Sequence, residues 1–487
     1  MGRDEVIPLV LASGFREYDA RWLLNSEINL PGMRCLGLGI GTLLHAHGAA
    51  PRIVTGHDYR SYSQAVKDAL ISGLVASGCT VNDIGLALSP MAYFAQFDLE
   101  VQAVAMVTAS HNENGWTGVK IGIDRPLTLD PAEMARLRDI VLGAQWVERP
   151  GGAIRHVGGM AGRYMADLVS TGRITRRLKV ICACGNGTAG AFAPQVLEGI
   201  GCEVVPLDCE LDHSFPRYNP NPEDMSMLQA MREAVTAHGA DIAFGFDGDG
   251  DRCGIVDNEG RAIFADKVGV MLARDISGAM PDARFVADVK STSLFATDPV
   301  LKANGAVTEY WKTGHSYMKS RIQETGAVAG FEKSGHYFFR APYGRGYDDG
   351  LLSAIAICRM LDRAGETSIA DLHRELPRTW NTPTMSPHCA DDKKYGVVER
   401  ITAHFTHALA QGKSLGDSKI TGLITVNGVR IVLEDGSWGL VRASSNKPEL
   451  VVVCESPVSA GRMRAVFRDI ETVLQSHPEV GSFNQKI

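Results

Sequence analysis

The sequence predicts an α/β protein of several domains, and three observations lead to this prediction. Its 487 residues exceed what one hydrophobic core usually holds, since a domain averages about 150 residues. Short apolar strands alternate with amphipathic helices in three successive β-α-β-α-β repeats. Past Pro377 the order of elements changes. We therefore expect three similar α/β domains, with mixed sheets between helices, followed by an α+β domain.

Each repeat is placed by its apolar periodicity. The predicted strands are 52–55, 81–86 and 103–107 in the first repeat, 178–183, 203–207 and 242–246 in the second, and 284–289, 307–311 and 327–331 in the third. The predicted helices between them are 61–77 and 91–98, then 188–200 and 224–238, then 293–304 and 315–325. Residues 14–22, ahead of the first repeat, are predicted to be a polar loop.

The last quarter of the chain is predicted to be α+β. Its expected elements are helix 395–411, strands 422–426, 429–433, 438–442 and 450–454, and helix 460–475. Composition shifts and linkers place the domain boundaries at 1–160, 161–262, 263–378 and 379–487.

Composition excludes several classes of protein. The net charge of -7 gives no general attraction to nucleic acid or to an anionic membrane. No apolar stretch approaches the roughly 20 residues that span a bilayer. The ten cysteines include no Cys-x-x-Cys pair, and several, such as Cys182 and Cys184, lie in apolar runs as small core residues. We expect a reduced, cytoplasmic protein.

The segment Asp247-Gly-Asp-Gly-Asp-Arg252 follows the last strand of the second repeat. Its three carboxylates repel one another unless a divalent cation lies among them, and oxygen ligands suit Mg²⁺ first. An EF-hand loop would need Gly and Glu where Arg252 and Asn258 stand, so that class is excluded. A solvated acidic turn is the remaining alternative. Arg252 beside a metal suggests a phosphorylated ligand.

Two further loops carry reactive side chains at the same place in their repeats. The first contains Ser110 and His111, and the third contains Glu332, Ser334 and His336. Ligands of parallel sheets collect at the carboxyl ends of strands, so the three loops predict one cleft. Ser110 lacks a Gly-x-Ser-x-Gly elbow, which favours phosphoryl transfer assisted by Lys120 over acyl transfer. A helix-capping serine is the alternative.

Two glycine- and serine-rich segments admit more than one interpretation. The turn Gly185-Asn-Gly-Thr-Ala-Gly190, with Asp208 after the next strand, has the context of a dinucleotide fingerprint. An NAD-dependent dehydrogenase is therefore the second hypothesis. Residues 442–448 combine Arg, Lys, hydroxyls and an amide, which fits either a phosphate site or an ordinary turn.

Taken together, these loops resemble the α-D-phosphohexomutase family. The segments that carry the resemblance are FREYDAR (15–21), TASHN (108–112), DGDGDR (247–252), WKTGHS (311–316), GFEKSGH (330–336), GYDDG (346–350) and GLVRASSNKP (439–448). Their order and spacing extend over nearly the whole chain. The resemblance implies three similar α/β domains and a fourth, TATA-binding-protein-like domain around a central cleft.

The resemblance also implies an activity and its residues. The expected reaction interconverts hexose 1-phosphate and hexose 6-phosphate through a phosphoserine and a hexose 1,6-bisphosphate, with glucose 1,6-bisphosphate as activator. The implied catalytic residues are Ser110, Lys120, Arg252 and His315, and the implied Mg²⁺ ligands are Ser110, Asp247, Asp249 and Asp251. The implied substrate contacts are Tyr18, Arg21, His111, Lys290, Glu332, Ser334, His336, Arg442, Ser444, Ser445 and Asn446.

Some questions stay open at this stage. Phe331 lies between the usual Gly and Glu of the sugar loop, so the preference for mannose, glucose or both is undecided. A metal-dependent sugar phosphatase remains possible if water reaches the phosphoserine. Sugar phosphates are the expected partners, with no nucleic acid and no membrane, and the protein is expected to be a monomer or a homodimer.

Overall fold

The computed structural model describes residues 7–48, 50–445 and 447–485. It divides into two compact units, one formed by Met1–Ala265 with Ser334–Asp371 and the other by Asp266–Lys333 with Leu372–Ile487. Among the described residues, none of the helices combines the length and the apolar character that crossing a bilayer requires.

The first sheet contains the strands predicted for the first repeat. In sheet order its six strands are Ala20–Leu23, Trp116–Gly122, Ala103–Val107, Arg52–His57, Thr80–Leu86 and Ala153–His156. The last four strands run parallel, whereas the first two pair antiparallel. The prediction of a polar loop at 14–22 is wrong at its end, because residues from Ala20 onward pair with a strand almost 100 residues later, a non-local contact that periodicity does not reveal.

The helices around this sheet include three that sequence periodicity missed, namely Leu30–Ala46, Pro131–Leu142 and Met160–Gly172. The helices are Leu30–Ala46, Ser63–Ala76, Ser89–Asp98, Pro131–Leu142 and Met160–Gly172, with a 3₁₀ turn at Ala12–Gly14. The unpredicted helix Leu30–Ala46 packs closely on Ser63–Ala76. A Cβ on Gly37 would lie 2.2 Å from the Leu70 carbonyl oxygen, so only glycine permits this approach.

The second sheet carries the acidic loop. In sheet order its strands are Ala262–Ile263, Cys253–Asp257, Ile242–Phe246, Lys179–Ala183 and Glu203–Leu207. The helices of this region are Ala193–Ile200 and Met225–His238, after a 3₁₀ turn at Thr188–Ala191. The predicted helix 188–200 is therefore broken. Pro194 lacks the N–H that a helix begun at Thr188 would use there. The same unit contains strand Tyr337–Phe339 and helix Gly350–Arg363, and helix Ile369–Arg374 follows next in the chain.

The third repeat lies in the second compact unit. Its parallel strands, in sheet order, are Val307–Trp311, Arg284–Asp288 and Ala329–Phe331. The helices are Ala265–Ala279, which was not predicted, Leu294–Thr297, Pro299–Ala303 and His315–Thr325. The predicted helix 293–304 divides at Asp298, whose carboxylate caps the second segment by accepting from the Val300 and Leu301 amides.

The C-terminal region is α+β, as predicted. Its antiparallel strands, in sheet order, are Trp380–Asn381, Leu450–Ser456, Trp438–Ala443, Val429–Leu433, Ser418–Ile424 and Ser414–Leu415. Helices Lys394–Ala410 and Ala460–Gln475 bury their apolar residues in the same core as the strands. The fold class predicted from the sequence is confirmed.

Within the second unit, buried charges join this sheet to the third repeat. Arg430 donates to the carbonyl oxygens of Val289 and Ser291, at 2.9 and 2.7 Å, and its guanidinium stacks on the rings of Tyr310 and Trp438. The Lys267 ammonium lies 2.8 Å from a Glu455 carboxylate oxygen. These contacts are buried, so the two regions are held together by specific bonds rather than by a flexible linker alone.

Candidate active site

Three buried carboxylates converge directly after strand Ile242–Phe246. The Asp247, Asp249 and Asp251 side chains are 0% exposed, and each offers an oxygen within 4.8 Å of the others. One oxygen of Asp249 and one of Asp251 accept no hydrogen bond from any described residue. Buried carboxylate oxygens without donors are costly unless a cation binds them. The group therefore fits a hard divalent cation, and a solvated acidic turn is ruled out by its burial.

Lys120 neutralises part of this charge. It lies on strand Trp116–Gly122, and its Nζ donates to Asp249 Oδ2 at 2.7 Å and to Asp251 Oδ2. Burial opposes the charged ammonium, but the two carboxylates raise the pKa of Lys120 well above its usual value. Burial and the neighbouring carboxylates together raise the pKa of Asp247. The site thus places the positively charged side chain of Lys120 among three carboxylates that together exceed its charge.

Ser110 lies beside the acidic loop. Its hydroxyl donates to Asp247 Oδ2 at 3.1 Å and lies 3.2 Å from His111 Nδ1. The residue is 2% exposed and has a left-handed φ of 51°. A non-glycine residue in this conformation needs support from its surroundings, and strain of this kind concentrates at functional sites. The geometry does not support a helix-capping role, because no helix begins at this loop.

Asp58 and Arg60 supply that support, and sequence reasoning missed both. Arg60 donates to the carbonyl oxygens of Ser110 and Asn112, at 3.0 and 2.6 Å, and is paired with Asp58. Asp58 also accepts from the Thr108 hydroxyl at 2.9 Å. Both residues are at most 5% exposed. The available signal was their position, just after strand Arg52–His57 at the same sheet edge as Ser110.

The acidic loop contacts the serine loop at close range. A Cβ on Gly248 would lie 2.5 Å from the Ser110 carbonyl oxygen, so this approach requires glycine. Ser89 also fixes the loop, because its hydroxyl donates to Asp249 Oδ2 at 2.6 Å and its amide to the Asp249 carbonyl at 3.0 Å. The serine and the three carboxylates are therefore held as one arrangement.

Arg252 and His336 extend the site within the same compact unit. The Arg252 Nε–H donates to His336 Nε2 at 2.9 Å, so that nitrogen accepts and the ring proton lies on Nδ1. His336 Nδ1 also lies 2.9 Å from Asp348 Oδ2, the distance of an ion pair. Arg252 also lies 3.7 Å from Asp247. This chain of contacts links the third predicted loop to the acidic loop and involves Asp348, which sequence reasoning did not single out.

Three other expected substrate contacts belong to the same compact unit. Tyr18 is buried, at 4% exposed, just before strand Ala20–Leu23. Arg21, on that strand, is paired with Asp19 at 3.0 Å. Ser334 is half-buried. The structure gives their positions in the chain fold, and their role as substrate contacts stays a prediction.

The second compact unit contains three of the expected site residues, namely Glu332, His315 and Lys290. Glu332 is 1% exposed and accepts from the Gly314 amide at 2.5 Å. His315 follows at the start of its helix and is also buried. Lys290 Nζ lies 3.8 Å from Asp288 Oδ2 after the neighbouring strand. These groups collect at the carboxyl ends of parallel strands, where ligands of such sheets bind.

The predicted phosphate loop has unsatisfied polar atoms. Arg442 is 5% exposed, and its Nε donates to none of the described residues. The buried Ser445 hydroxyl likewise has no partner in the described parts of the chain. Ser444 Oγ accepts from the Lys447 amide at 3.3 Å. Asn446 lies outside the described residues. Two buried donors without acceptors suit an anion better than an ordinary turn.

Backbone amides of the glycine-rich turn at 185–190 already donate hydrogen bonds within the protein. The Asn186, Gly187 and Thr188 amides donate to protein carbonyls, the last to that of Gly248 at 3.3 Å. Asp208 is paired with Arg217 and accepts from Tyr218. A dinucleotide site needs these amides for pyrophosphate and this carboxylate for ribose. The dehydrogenase hypothesis is therefore not supported. The turn instead stabilises the acidic loop through the hydrogen bond from Thr188 to Gly248.

Comparisons with known proteins agree with this geometry. Four family descriptions match in order: phosphoglucomutase/phosphomannomutase alpha/beta/alpha domains I, II and III at 12–147, 163–260 and 264–380, and the C-terminal domain at 389–473. The Pseudomonas putida phosphomannomutase/phosphoglucomutase is 33% identical over 483 residues, covering 98% of both chains.

Two further relatives extend the comparison. A phosphoglucomutase from Neisseria gonorrhoeae is 31% identical, covering 96% of this chain and 97% of that one. The solved structure of a phosphoglucomutase/phosphomannomutase family protein from Burkholderia thailandensis matches with a TM-score of 0.86 at 27% identity, covering 98% of this chain and 100% of that one. The chain belongs to the phosphoglucomutase/phosphomannomutase family.

Proposed function

We propose that this protein interconverts hexose 1-phosphate and hexose 6-phosphate, of mannose, glucose or both, through a phosphorylated Ser110. The observation that carries the proposal is the buried Ser110 hydroxyl 3.1 Å from Asp247, beside two more carboxylates and Lys120. Relatives named phosphomannomutase/phosphoglucomutase, similar over nearly the full length, support it. Neither a dehydrogenase nor a phosphatase is favoured by them.

The acidic loop would hold Mg²⁺ through Asp247, Asp249 and Asp251. When bound, the ion withdraws negative charge from phosphoryl oxygens and so favours their transfer. Lys120 provides a second, permanent positive charge beside the same carboxylates. Arg252, held by Asp247 and His336, adds a planar donor suited to phosphate oxygens.

The reaction is a double exchange at Ser110. The bond between phosphorus and Ser110 Oγ breaks as a sugar hydroxyl forms the new phosphorus–oxygen bond. That hydroxyl loses its proton to a nearby base, and Ser110 Oγ gains one. The resulting hexose 1,6-bisphosphate turns round, and Ser110 Oγ then takes the other phosphate by the reverse steps. Lys120, Arg252 and His315 are proposed to assist these proton transfers and to stabilise charge, with His336 as a substrate contact. Glucose 1,6-bisphosphate would restore phosphoserine that is lost.

A loop of the second compact unit would bind one phosphate of the substrate. Arg442, Ser444, Ser445 and Asn446 would bind the phosphate that is not being transferred, which is consistent with the unsatisfied buried donors of Arg442 and Ser445. One site that accepts a phosphate from either end of the bisphosphate is what a turning intermediate requires.

The sugar hydroxyls would contact Glu332 and Ser334, with Lys290, Tyr18, Arg21 and His111 as further substrate contacts. Glu332 is already fixed by the Gly314 amide at 2.5 Å, so its second carboxylate oxygen is held in a defined direction. A carboxylate can accept from two adjacent hydroxyls, which both glucose and mannose present.

All ten cysteines are free thiols, which supports a reducing, cytoplasmic setting for the reaction.

The experiment is direct labelling. The protein is incubated with glucose 1,6-bisphosphate and Mg²⁺, digested, and analysed by mass spectrometry. We expect phosphate on the peptide that contains Ser110, and Ser110→Ala should lose both the label and at least about 10³-fold of mutase kcat. Ser72→Ala removes an exposed hydroxyl and serves as the control. Phosphate on a different residue, or a folded Ser110→Ala variant with near-normal turnover, would overturn the assignment.

A further inference from the structure

Three thiols from two parallel strands meet in the second sheet. Cys182 and Cys184 flank Ala183 at the end of one strand, and Cys209 follows the end of the neighbouring strand. Residues two apart on a strand share a face, which places the first two sulfurs 3.8 Å apart. The Cys209 sulfur lies 3.6 Å from that of Cys184. The three sulfurs lie within 4.8 Å of one another.

These separations are those of thiolate ligands around one ion. A tetrahedral ion with metal–sulfur bonds of about 2.3 Å holds its sulfurs about 3.8 Å apart. A disulfide would need roughly 2.05 Å between two sulfurs, so the cluster is three separate thiols. Small core cysteines would satisfy packing without this spacing. The geometry matches a coordination triangle.

The donor set and its exposure indicate the class of ion. All three ligands are sulfur, which favours soft cations such as Zn²⁺, Cd²⁺ or Cu⁺ over Mg²⁺. Cys182 and Cys184 are fully buried, whereas Cys209 is partly exposed. An ion, and a fourth, external ligand, would reach the cluster from the side of the partly exposed Cys209. In the thiol form, Cys209 donates to the Cys182 carbonyl at 3.1 Å, so binding would release protons to solvent.

We propose that Cys182, Cys184 and Cys209 form a second metal site, specific for a soft cation and separate from the acidic loop. The site adjoins the catalytic machinery, because the turn that begins after Cys184 donates from Thr188 to the Gly248 carbonyl. A Cβ on Gly190 of that turn would lie 2.0 Å from the Cys209 carbonyl oxygen, so the turn packs directly against the backbone of one of the three cysteines. An ion at the cluster would act on a segment in contact with the acidic loop.

The test uses Cd²⁺ alone and the full chain, reduced with a phosphine and freed of metal. Cadmium–thiolate bonds give an ultraviolet charge-transfer band that carboxylates do not give. We expect this band to saturate at one Cd²⁺ per chain. Cys209→Ser should weaken the affinity at least about 100-fold, since even changes outside the ligand shell cost 10- to 100-fold.

Matched variants make the result specific. Cys202→Ser alters another thiol, one that lies 3.9 Å from the Cys358 sulfur, and it should keep the band and the affinity. Asp247→Asn should also keep the thiolate band, because that signal does not come from the acidic loop. Cys184→Ala is the second ligand variant if Cys209→Ser does not fold by circular dichroism. Absence of the band in the reduced wild type, or loss of it in Cys202→Ser with retention in Cys209→Ser, would overturn the proposal.

Discussion

The contact between the serine loop and the acidic loop predicts a specific effect of Gly248→Ala. The new Cβ would lie 2.5 Å from the Ser110 carbonyl oxygen. The closest ordinary carbon–oxygen contact is about 3.3 Å, so one loop must retreat by about 0.8 Å. No left-handed φ is required at Gly248, which makes the effect steric rather than conformational.

The size of the effect follows from that displacement. A misplacement of about 1 Å costs roughly 10²-fold in turnover when catalytic groups must be aligned. Overpacking of this kind costs about 1–3 kcal/mol of stability, which a protein of this size can absorb. We therefore expect Gly248→Ala to fold, to lose about 10²-fold in kcat, and to take up phosphate from glucose 1,6-bisphosphate more slowly.

The assay is a coupled mutase measurement with thermal unfolding in parallel. Gly162→Ala is the matched control, because this helical glycine has nothing within 4 Å of its would-be Cβ. That variant should keep wild-type kcat and gain up to about 1 kcal/mol of stability. A folded Gly248→Ala enzyme with wild-type kcat would refute the argument that this contact sets the position of Ser110.

Three further predictions concern recognition and stability. Arg442→Ala should raise KM for the sugar phosphate by about 10- to 100-fold, as expected for loss of a charge-assisted hydrogen bond; unchanged KM and kcat would contradict the phosphate-loop assignment. Glu455→Gln leaves the buried Lys267 charge uncompensated and should cost about 3–5 kcal/mol in denaturant unfolding, whereas Glu455→Gln with Lys267→Met should recover most of it. Burial raises the pKa of Asp349 to about 7, so its stabilising contribution is complete below pH 4 and declines as the pH rises through 7. Asp349→Asn should therefore gain Tm relative to wild type between pH 5 and pH 8, and a difference that is constant with pH would argue against this titration.

Local patterns allowed much of the fold to be predicted. The strands Ala103–Val107 and Val429–Leu433 were placed correctly because an apolar run between turn residues marks a buried strand. Helix Leu30–Ala46 was missed because its glycines, which permit close packing on a neighbouring helix, obscure the apolar stripe. Strand Ala20–Leu23 depends on a partner far along the chain, which no local pattern reveals.

The candidate site shows the same division. The acidic loop and Ser110 were identified because the residues that indicate their chemistry are neighbours in the sequence. Asp58 and Arg60 were not, since their role comes from hydrogen bonds to a loop 50 residues away. Cys209 was not grouped with Cys184 for the same reason: the two sulfurs come together only when parallel strands pair. The sequence therefore reveals the reactive groups, whereas the residues that position them become visible only in the folded structure.

The measurement that tests the central claim most directly is a coupled assay on the purified protein with Mg²⁺ and a trace of glucose 1,6-bisphosphate. Glucose 1-phosphate and mannose 1-phosphate are compared side by side, and free phosphate is followed in parallel. We expect 6-phosphates from at least one sugar, little free phosphate, and loss of turnover in Ser110→Ala. Release of phosphate without isomerisation, or no turnover of either sugar, would contradict it.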